Sequence, residues 1–249
     1  MASAKARLSH SLQKSLALSY WAAASHSRVL GITALVRRIA HIGWCHISIS
    51  AKIIGWSNCS FGRNAVISAR TWINVSIRRR AEARVVIGEN TFIGQDNFIT
   101  TGDSVRFGPY CLTAAHCSFV AASHIVDDPL RPYSTTGVTT GNRIEIGANC
   151  FFGIGAMVLG NVRIGRGSII GARAIVREDV PPFSIVVGDP ARIIKYYDFA
   201  NKRWAKGERP AGNTEGIPSE DEYILTLKRA CRFPLQPISA SSAWLGDVG

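Results

Sequence analysis

IGANCF, FGIGAM, VLGNVR, IGRGSI, IGARAI and VREDVP are six consecutive blocks that fill residues 146–181 without a slip. Position one is always large and apolar: Ile146, Phe152, Val158, Ile164, Ile170 and Val176. Position two is glycine in four of the six. Position five is always small or β-branched: Cys150, Ala156, Val162, Ser168, Ala174 and Val180. An α-helix repeats about every 3.6 residues and a plain strand about every two, so neither produces a period of six. A strict six-residue repeat predicts an all-β solenoid, a parallel β-helix whose chain winds through stacked triangular coils. The apolar residue of each block points into the prism. The glycine and the polar residues after it sit where the backbone bends. Three blocks make one coil, and stacked coils pair their strands at roughly 4.8 Å.

The same beat runs earlier. Blocks begin at Ile87, Ile93 and Ile99, and again at Phe107, Thr113 and Phe119. Two extra residues fall between these triplets, which predicts a wider corner there. Phe61, Ile67 and Ile73 mark a further coil. Residues 125–143, IVDDPLRPYSTTGVTTGNR, break the beat altogether. They are rich in Pro, Thr, Gly and Asp and read as an excursion loop between two coils. A long loop set into a regular scaffold is a place to look for function.

The β-helix is expected over residues 46–195, between two extensions. Residues 1–45 hold six basic residues and no acidic one, with apolar stretches such as LALSYWAAA and RVLGITALV. They predict one or two basic amphipathic helices. No run of apolar residues is long enough for a transmembrane helix, and the apolar stretches are interrupted by Ser, His and Arg without the pattern of a cleaved signal region. From about residue 196 the repeat is lost. Residues 206–218 read as a flexible linker, and Ser219 with Glu222 forms a capping-box pattern ahead of a short helix, YILTLKRA.

Charge is distributed unevenly. Twelve Lys and Arg and no Asp or Glu precede Glu82, so the formal net charge of +12 belongs to the N-terminal third. Such a flank is either a solvated surface or an attraction to an anionic partner, such as a phospholipid surface or a polyanionic cofactor. Nucleic acid is not indicated, because Arg78-Arg79-Arg80 stands without any nucleic-acid-binding motif. Cys111, Cys117 and Cys150 all occupy position five, where a free Cys acts as a small hydrophobe. With no C-x-x-C pair and no secretory signal, a reducing, cytoplasmic compartment is expected.

The segment from Ile146 to Lys195 resembles the hexapeptide-repeat acetyltransferases that use acetyl-CoA. The specific part is the exit, VREDVPPFSIVVGDPARIIK at residues 176–195, in which the last coil runs into a Val-Pro-Pro turn and then a Gly-x-Pro-Ala-Arg segment. Within the family the chain is most similar to the sugar O-acetyltransferases of bacterial polysaccharide and oligosaccharide synthesis. The aromatics beyond the exit, Tyr196, Tyr197 and Trp204, fit that subgroup. The resemblance covers residues 85–195 well, 46–84 loosely and the two ends hardly at all. It implies a left-handed β-helix, a homotrimer with active sites shared between prisms, and acetyl-CoA as co-substrate, with no metal.

The resemblance also implies site residues. Family members carry a histidine just before the excursion loop, and FGPYCLTAAHCSFVAASHIVDDP puts His124 there. A sugar hydroxyl is a poor nucleophile near neutral pH. An imidazole, with an ordinary pKa near about 6.5, can take its proton as it attacks the thioester. His116 falls in a corner and reads as solvated. Gly153, Gly155 and Ala172 match coil positions along which CoA lies, while Arg177, Arg192 and Lys195 match positions near its phosphates. Glu178 stands where some relatives carry lysine. The asparagine with which some relatives orient the acceptor has no counterpart, since Gly94 takes its place beside Asp96 and Asn97.

Other classes stay open. Acetylation of an amino-sugar nitrogen needs almost the same chemistry. A non-catalytic β-helix scaffold protein would not need His124, the loop and the exit together. The zinc site of β-helical carbonic anhydrases, with two histidines five apart and a third elsewhere, is not matched by His116 and His124. The basic N-terminus raises the expectation of a peripheral contact with the inner membrane surface, near a lipid-linked acceptor. Its competing role is to cap the first coil.

Overall fold

The structure is a computed structural model that describes residues 45–76 and 82–231. The helical extension expected over residues 1–45, Cys45 apart, and the Arg78-Arg79-Arg80 cluster lie outside the described residues. Within them the chain cycles through three parallel sheets. The first holds β1 (Cys45–Ile47), β4 (Ala65–Ile67), β7 (Phe92–Ile93), β10 (Leu112–Thr113), β13 (Phe151–Phe152), β16 (Ile169–Ile170) and β18 (Ser184–Val187). The second holds β2 (Lys52–Ile54), β5 (Trp72–Val75), β8 (Phe98–Thr101), β11 (Ser118–Val120), β14 (Met157–Leu159) and β17 (Ile175–Val176). The third holds β3 (Cys59–Phe61), β6 (Val85–Ile87), β9 (Ser104–Phe107), β12 (Arg143–Ile146) and β15 (Val162–Ile164). Each strand pairs in parallel with the strand one coil away, as in Ile144↔Val162 and Phe119↔Val158. This is the parallel β-helix that the six-residue period predicts, and it is consistent with the left-handed form that the resemblance implies.

Every position-one residue of the six blocks is buried, as are Cys111, Cys117 and Cys150. At mid-height three rings meet at the axis, one from each sheet. Phe107 and Phe119 stand edge to face at 4.7 Å and Phe119 and Phe152 at 5.1 Å, a preferred aromatic geometry that adds to the area they bury.

The scaffold continues past the repeat. β19 (Arg192–Asp198) turns back antiparallel on β18, and β20 (Arg203–Lys206) pairs with β19. Lys206, the first residue of the expected linker, thus ends a strand. Helix α1 (Glu220–Ala230) follows, with the predicted capping box: Ser219 Oγ accepts the Glu222 N–H, and Glu222 accepts the Ser219 N–H at 2.8 Å. The helix lies along the corner between the third and first sheets. Glu220 accepts the Ala148 N–H at 2.7 Å, Asn149 Nδ2 donates to the Tyr223 hydroxyl at 2.6 Å, and Phe183 meets Tyr223 edge to face. Arg166 donates to the Pro218 carbonyl, and Lys228 pairs with Glu89 at 2.9 Å. These partners come from several coils, so the helix straps the prism lengthwise.

Burial pushes the Cys117 thiol up from 9.0 to about 11, and Cys59 to about 12. A thiol raised on folding is ionised first in the unfolded chain, so its contribution is intact below pH 9.0 and is lost as pH rises through about 11. Cys117→Ala should therefore flatten the fall of the urea midpoint between pH 9 and 11. An unchanged slope in that window would contradict the assignment.

Candidate active site

The three corners are built differently. The corner from the third sheet to the first turns on position-two glycines, and the corner from the first to the second on glycine, serine or alanine. The corner from the second sheet to the third carries Asn74, Thr100, Val120, Leu159 and Arg177 instead. There the extra pair between the early triplets appears as Gly102-Asp103, between β8 and β9. One coil on, the excursion opens at the same corner. It spans residues 121–142, because Arg143, counted into the loop by the pattern, already pairs with Ser104 as the first residue of β12.

The base of the excursion is a short antiparallel neck. His124 bridges Val138, the Thr139 N–H donates to Ser123 O at 2.7 Å, and the Ile125 N–H donates to Gly137 O at 3.2 Å. Thr139 Oγ1 accepts the Ser123 N–H at 3.0 Å, and Thr136 Oγ1 donates to Ile125 O. His124 is exposed, and its imidazole has no hydrogen-bond partner among the described residues. A ring nitrogen with a free lone pair at a fixed backbone position can accept a proton from a bound nucleophile. Nearby Asp128 is engaged within the loop, accepting the Leu130 N–H at 2.9 Å.

The other candidates fall into separate groups. Gly153, Gly155 and Ala172 share the corner between the first and second sheets. The Gly153 and Gly155 N–H groups are spent on Ile170 O and Ala115 O in the coil stack, whereas Ala172 keeps its N–H out of that ladder. His116 stands exposed on this corner in a left-handed turn, φ 62°. Arg177 is exposed on the His124 corner, two coils further on and thus about 10 Å along the axis. Arg192 and Lys195 lie on β19. Gly94, Asp96 and Asn97 lie on the His116 corner, away from His124. Asp96 is held in a bidentate pair with Arg70 at 2.6 Å, which keeps its carboxyl below the usual range. Asn97 is buried with its Nδ2 on Gly94 O and Ala114 O.

Sequence reasoning missed Lys206, which sits directly across from Lys195, and neither lysine has an ion-pair partner among the described residues. The flagged aromatics Tyr197 and Trp204 wall a groove of about 440 Å³ with Phe151, Ile169, Phe183 and Tyr223. That groove lies on the first sheet, not beside His124. No group of three or more His, Cys, Asp or Glu able to hold a metal occurs among the described residues.

Comparison with known proteins places this arrangement. Residues 143–178 match the family model described as bacterial transferase hexapeptide (six repeats). The chain is 31% identical over 127 residues to a probable acetyltransferase of Mycobacterium tuberculosis, covering 50% of this chain and 42% of that protein. It is 33% identical over 115 residues to a candidate acetyltransferase of Staphylococcus aureus, covering 46% and 56% respectively. The chain thus spans about half the length of the curated relatives it matches. In fold it is similar to the N-acyltransferase AntD of Bacillus cereus, solved with dTDP and coenzyme A, at TM-score 0.54 and 22% identity over 64% of this chain and 88% of that one. It is also similar to a galactoside acetyltransferase solved with coenzyme A, at TM-score 0.51 and 20% identity over 77% and 86%.

Proposed function

Because residues 143–178 match the family model described as bacterial transferase hexapeptide (six repeats), we propose that the chain moves an acetyl group from acetyl-CoA to a hydroxyl of a sugar or glycan. The observation that carries this reading is His124: a solvent-facing, uncommitted imidazole whose backbone is bridged at the base of the excursion. In this scheme the acceptor O–H lies against a His124 ring nitrogen. The oxygen attacks the thioester carbonyl carbon as the imidazole takes the proton. The C–S bond then breaks, and the imidazolium returns the proton to the departing thiolate. Acetyl-CoA is a substrate here, and the residues present suit it. Ala172 offers an open N–H, Gly153 and Gly155 offer backbone without side chains, and Arg177, Arg192 and Lys195 offer cations for its phosphates.

A second reading is acetylation of an amino-sugar nitrogen, kept open by the fold likeness to an N-acyltransferase. A screen of nucleotide sugars and lipid-linked oligosaccharides with acetyl-CoA, following free thiol, separates the two. Turnover only with amino sugars such as dTDP-4-amino-4,6-dideoxyglucose, the sugar bound by an AntD variant, would reverse the order. No turnover with any acceptor, and no binding of acetyl-CoA, would leave a non-catalytic scaffold. His124→Ala should lower kcat by ~10²–10⁴-fold with little change in acetyl-CoA affinity, and His116→Ala should be near neutral. The opposite pattern would move the base to the other corner.

The assembly we propose is a homotrimer. On the first sheet the outward column Val66, Phe92, Leu112, Phe151, Ile169 and Ile185 is apolar coil after coil. The third sheet instead presents Ser60, Val86, Arg106, Glu145 and Arg163. An apolar stripe of that length calls for a covering partner. Leu112→Glu should shift the light-scattering mass from trimer to monomer with the far-UV spectrum unchanged. A wild-type monomer with full activity would refute the assembly.

The workplace we propose is the cytoplasmic side of the inner membrane, reached through the basic residues 1–45. No helix among the described residues is long and apolar enough to cross a membrane. Each basic residue near an anionic leaflet contributes about 1 kcal/mol. Deleting residues 1–27 should abolish co-sedimentation with anionic liposomes and leave acetyl-CoA binding intact. A drop in melting temperature, with liposomes ignored by the intact protein, would show that the segment caps the first coil instead.

A further inference from the structure

Gly102 and Asp103, the pair that interrupts the six-residue beat, have no part in the acyl-transfer scheme, yet both ends of the excursion rest on them. A Cβ on Gly102 would stand 2.6 Å from Ala121 O and 3.1 Å from Asn142 O, the first and last residues of the excursion. On the return side the Asp103 N–H donates to Asn142 O at 2.7 Å. The Asp103 carboxylate then joins two arginines. Its Oδ2 accepts from Arg143 Nε at 2.7 Å, and its Oδ1 lies 3.8 Å from Arg84 Nη1.

Arg84 has only 7% of its side chain exposed. Its Nη1 also donates to the carbonyls of Gly102 at 3.2 Å and Asp103 at 3.0 Å, while its Nε has no partner among the described residues. A guanidinium so far out of water is tolerated only where carbonyls and a carboxylate face it. It therefore pins the Gly102-Asp103 step from beneath. From the next coil, Asn161 Oδ1 accepts the Arg143 N–H at 3.0 Å. The return limb is thus gripped from both sides, a few residues from the neck that holds His124.

We propose that Asp103 is a positioning residue for His124. It joins the buried Arg84 to Arg143, which fixes the return limb of the excursion, and the antiparallel pairing of residues 123–125 with 137–139 carries that placement to the imidazole. The proposal rests on the reading of His124 as general base. An isolated exposed ion pair such as Arg143 with Asp103 contributes little by itself. What sets this one apart is its continuation to a buried charge and to a neck where a displacement of about 1 Å costs up to ~10²-fold in rate.

Asp103→Asn keeps the shape and removes the charge. The Ile125 and Thr139 amides, both bonded across the neck, should exchange hydrogen about tenfold faster. With the sugar nucleotides above as acceptors, kcat should fall about tenfold while KM for acetyl-CoA stays within about twofold. Arg143→Gln leaves Asp103 facing Arg84 and guards against misfolding. It should show the same pattern at about threefold. In a His124→Ala background neither change should slow the residual rate further. Wild-type exchange and kcat in both variants, or undiminished slowing in the His124→Ala background, overturns the positioning role and leaves the acetyltransferase reading standing. Full activity of His124→Ala alone removes the base assignment and the positioning role with it. Exchange needs no acceptor, so it decides the anchoring by itself.

Discussion

Backbone hydrogen bonding between coils at about 4.8 Å decides what each corner can hold. Where the turn is tight, the next coil lies where a Cβ would stand. A Cβ on Gly88 would be 2.5 Å from the Gly108 carbonyl carbon, and one on Gly147 would be 2.6 Å from Arg166 N. The corner from the third sheet to the first therefore carries glycine at position two in Gly62, Gly88, Gly108, Gly147 and Gly165. The corner from the second sheet to the third carries none. Its strands run on before turning, and Gly160 there has open space where a Cβ would stand. The Gly102-Asp103 step and the long excursion both lie at that edge, as does the exposed histidine.

Much of this was legible in the residues. Position-one side chains such as Ile164 and Phe152 announce the interior because a six-residue period has only one structural source, and the capping box of Ser219 and Glu222 is local chemistry. The excursion was placed to within a few residues. Its far boundary was missed because Arg143 looks like a loop residue and behaves as a strand residue: its backbone pairs with Ser104 while its side chain reaches Asp103. The hairpin β19–β20 was hidden for a similar reason. Antiparallel closure has no six-residue signature, and Lys195 opposite Lys206 is a pairing that strand statistics disfavour.

The candidate site was less legible than the fold. A repeat marks which residues face in, but chemistry needs residues from different coils, and the period is silent about which corners face a common ligand. Asp96 and Asn97 stand beside Gly94, the position at which the resemblance puts an acceptor-orienting asparagine in some relatives. In space they sit on another corner, one neutralised by Arg70 and the other turned into the core. His124 differs from both because nothing among the described residues claims its ring. The buried cysteines show the converse: Cys111 and Cys150 are reactive types made inert by position, with burial the chief force holding the Cys150 thiol protonated.

Helix α1 changes how such a scaffold comes apart. In a solenoid each coil touches only its neighbours, so stability is close to a sum of local terms and the stack can fray coil by coil from either end. The strap breaks that locality. Through Phe183, Arg166, Ala148, Asn149 and Glu89 it ties together coils as far apart as those of Glu89 and Phe183. Losing one coil then costs contacts on several others. What would be a zipper of nearly independent steps becomes closer to a single melting unit, and the coil that bears His124 lies within its reach.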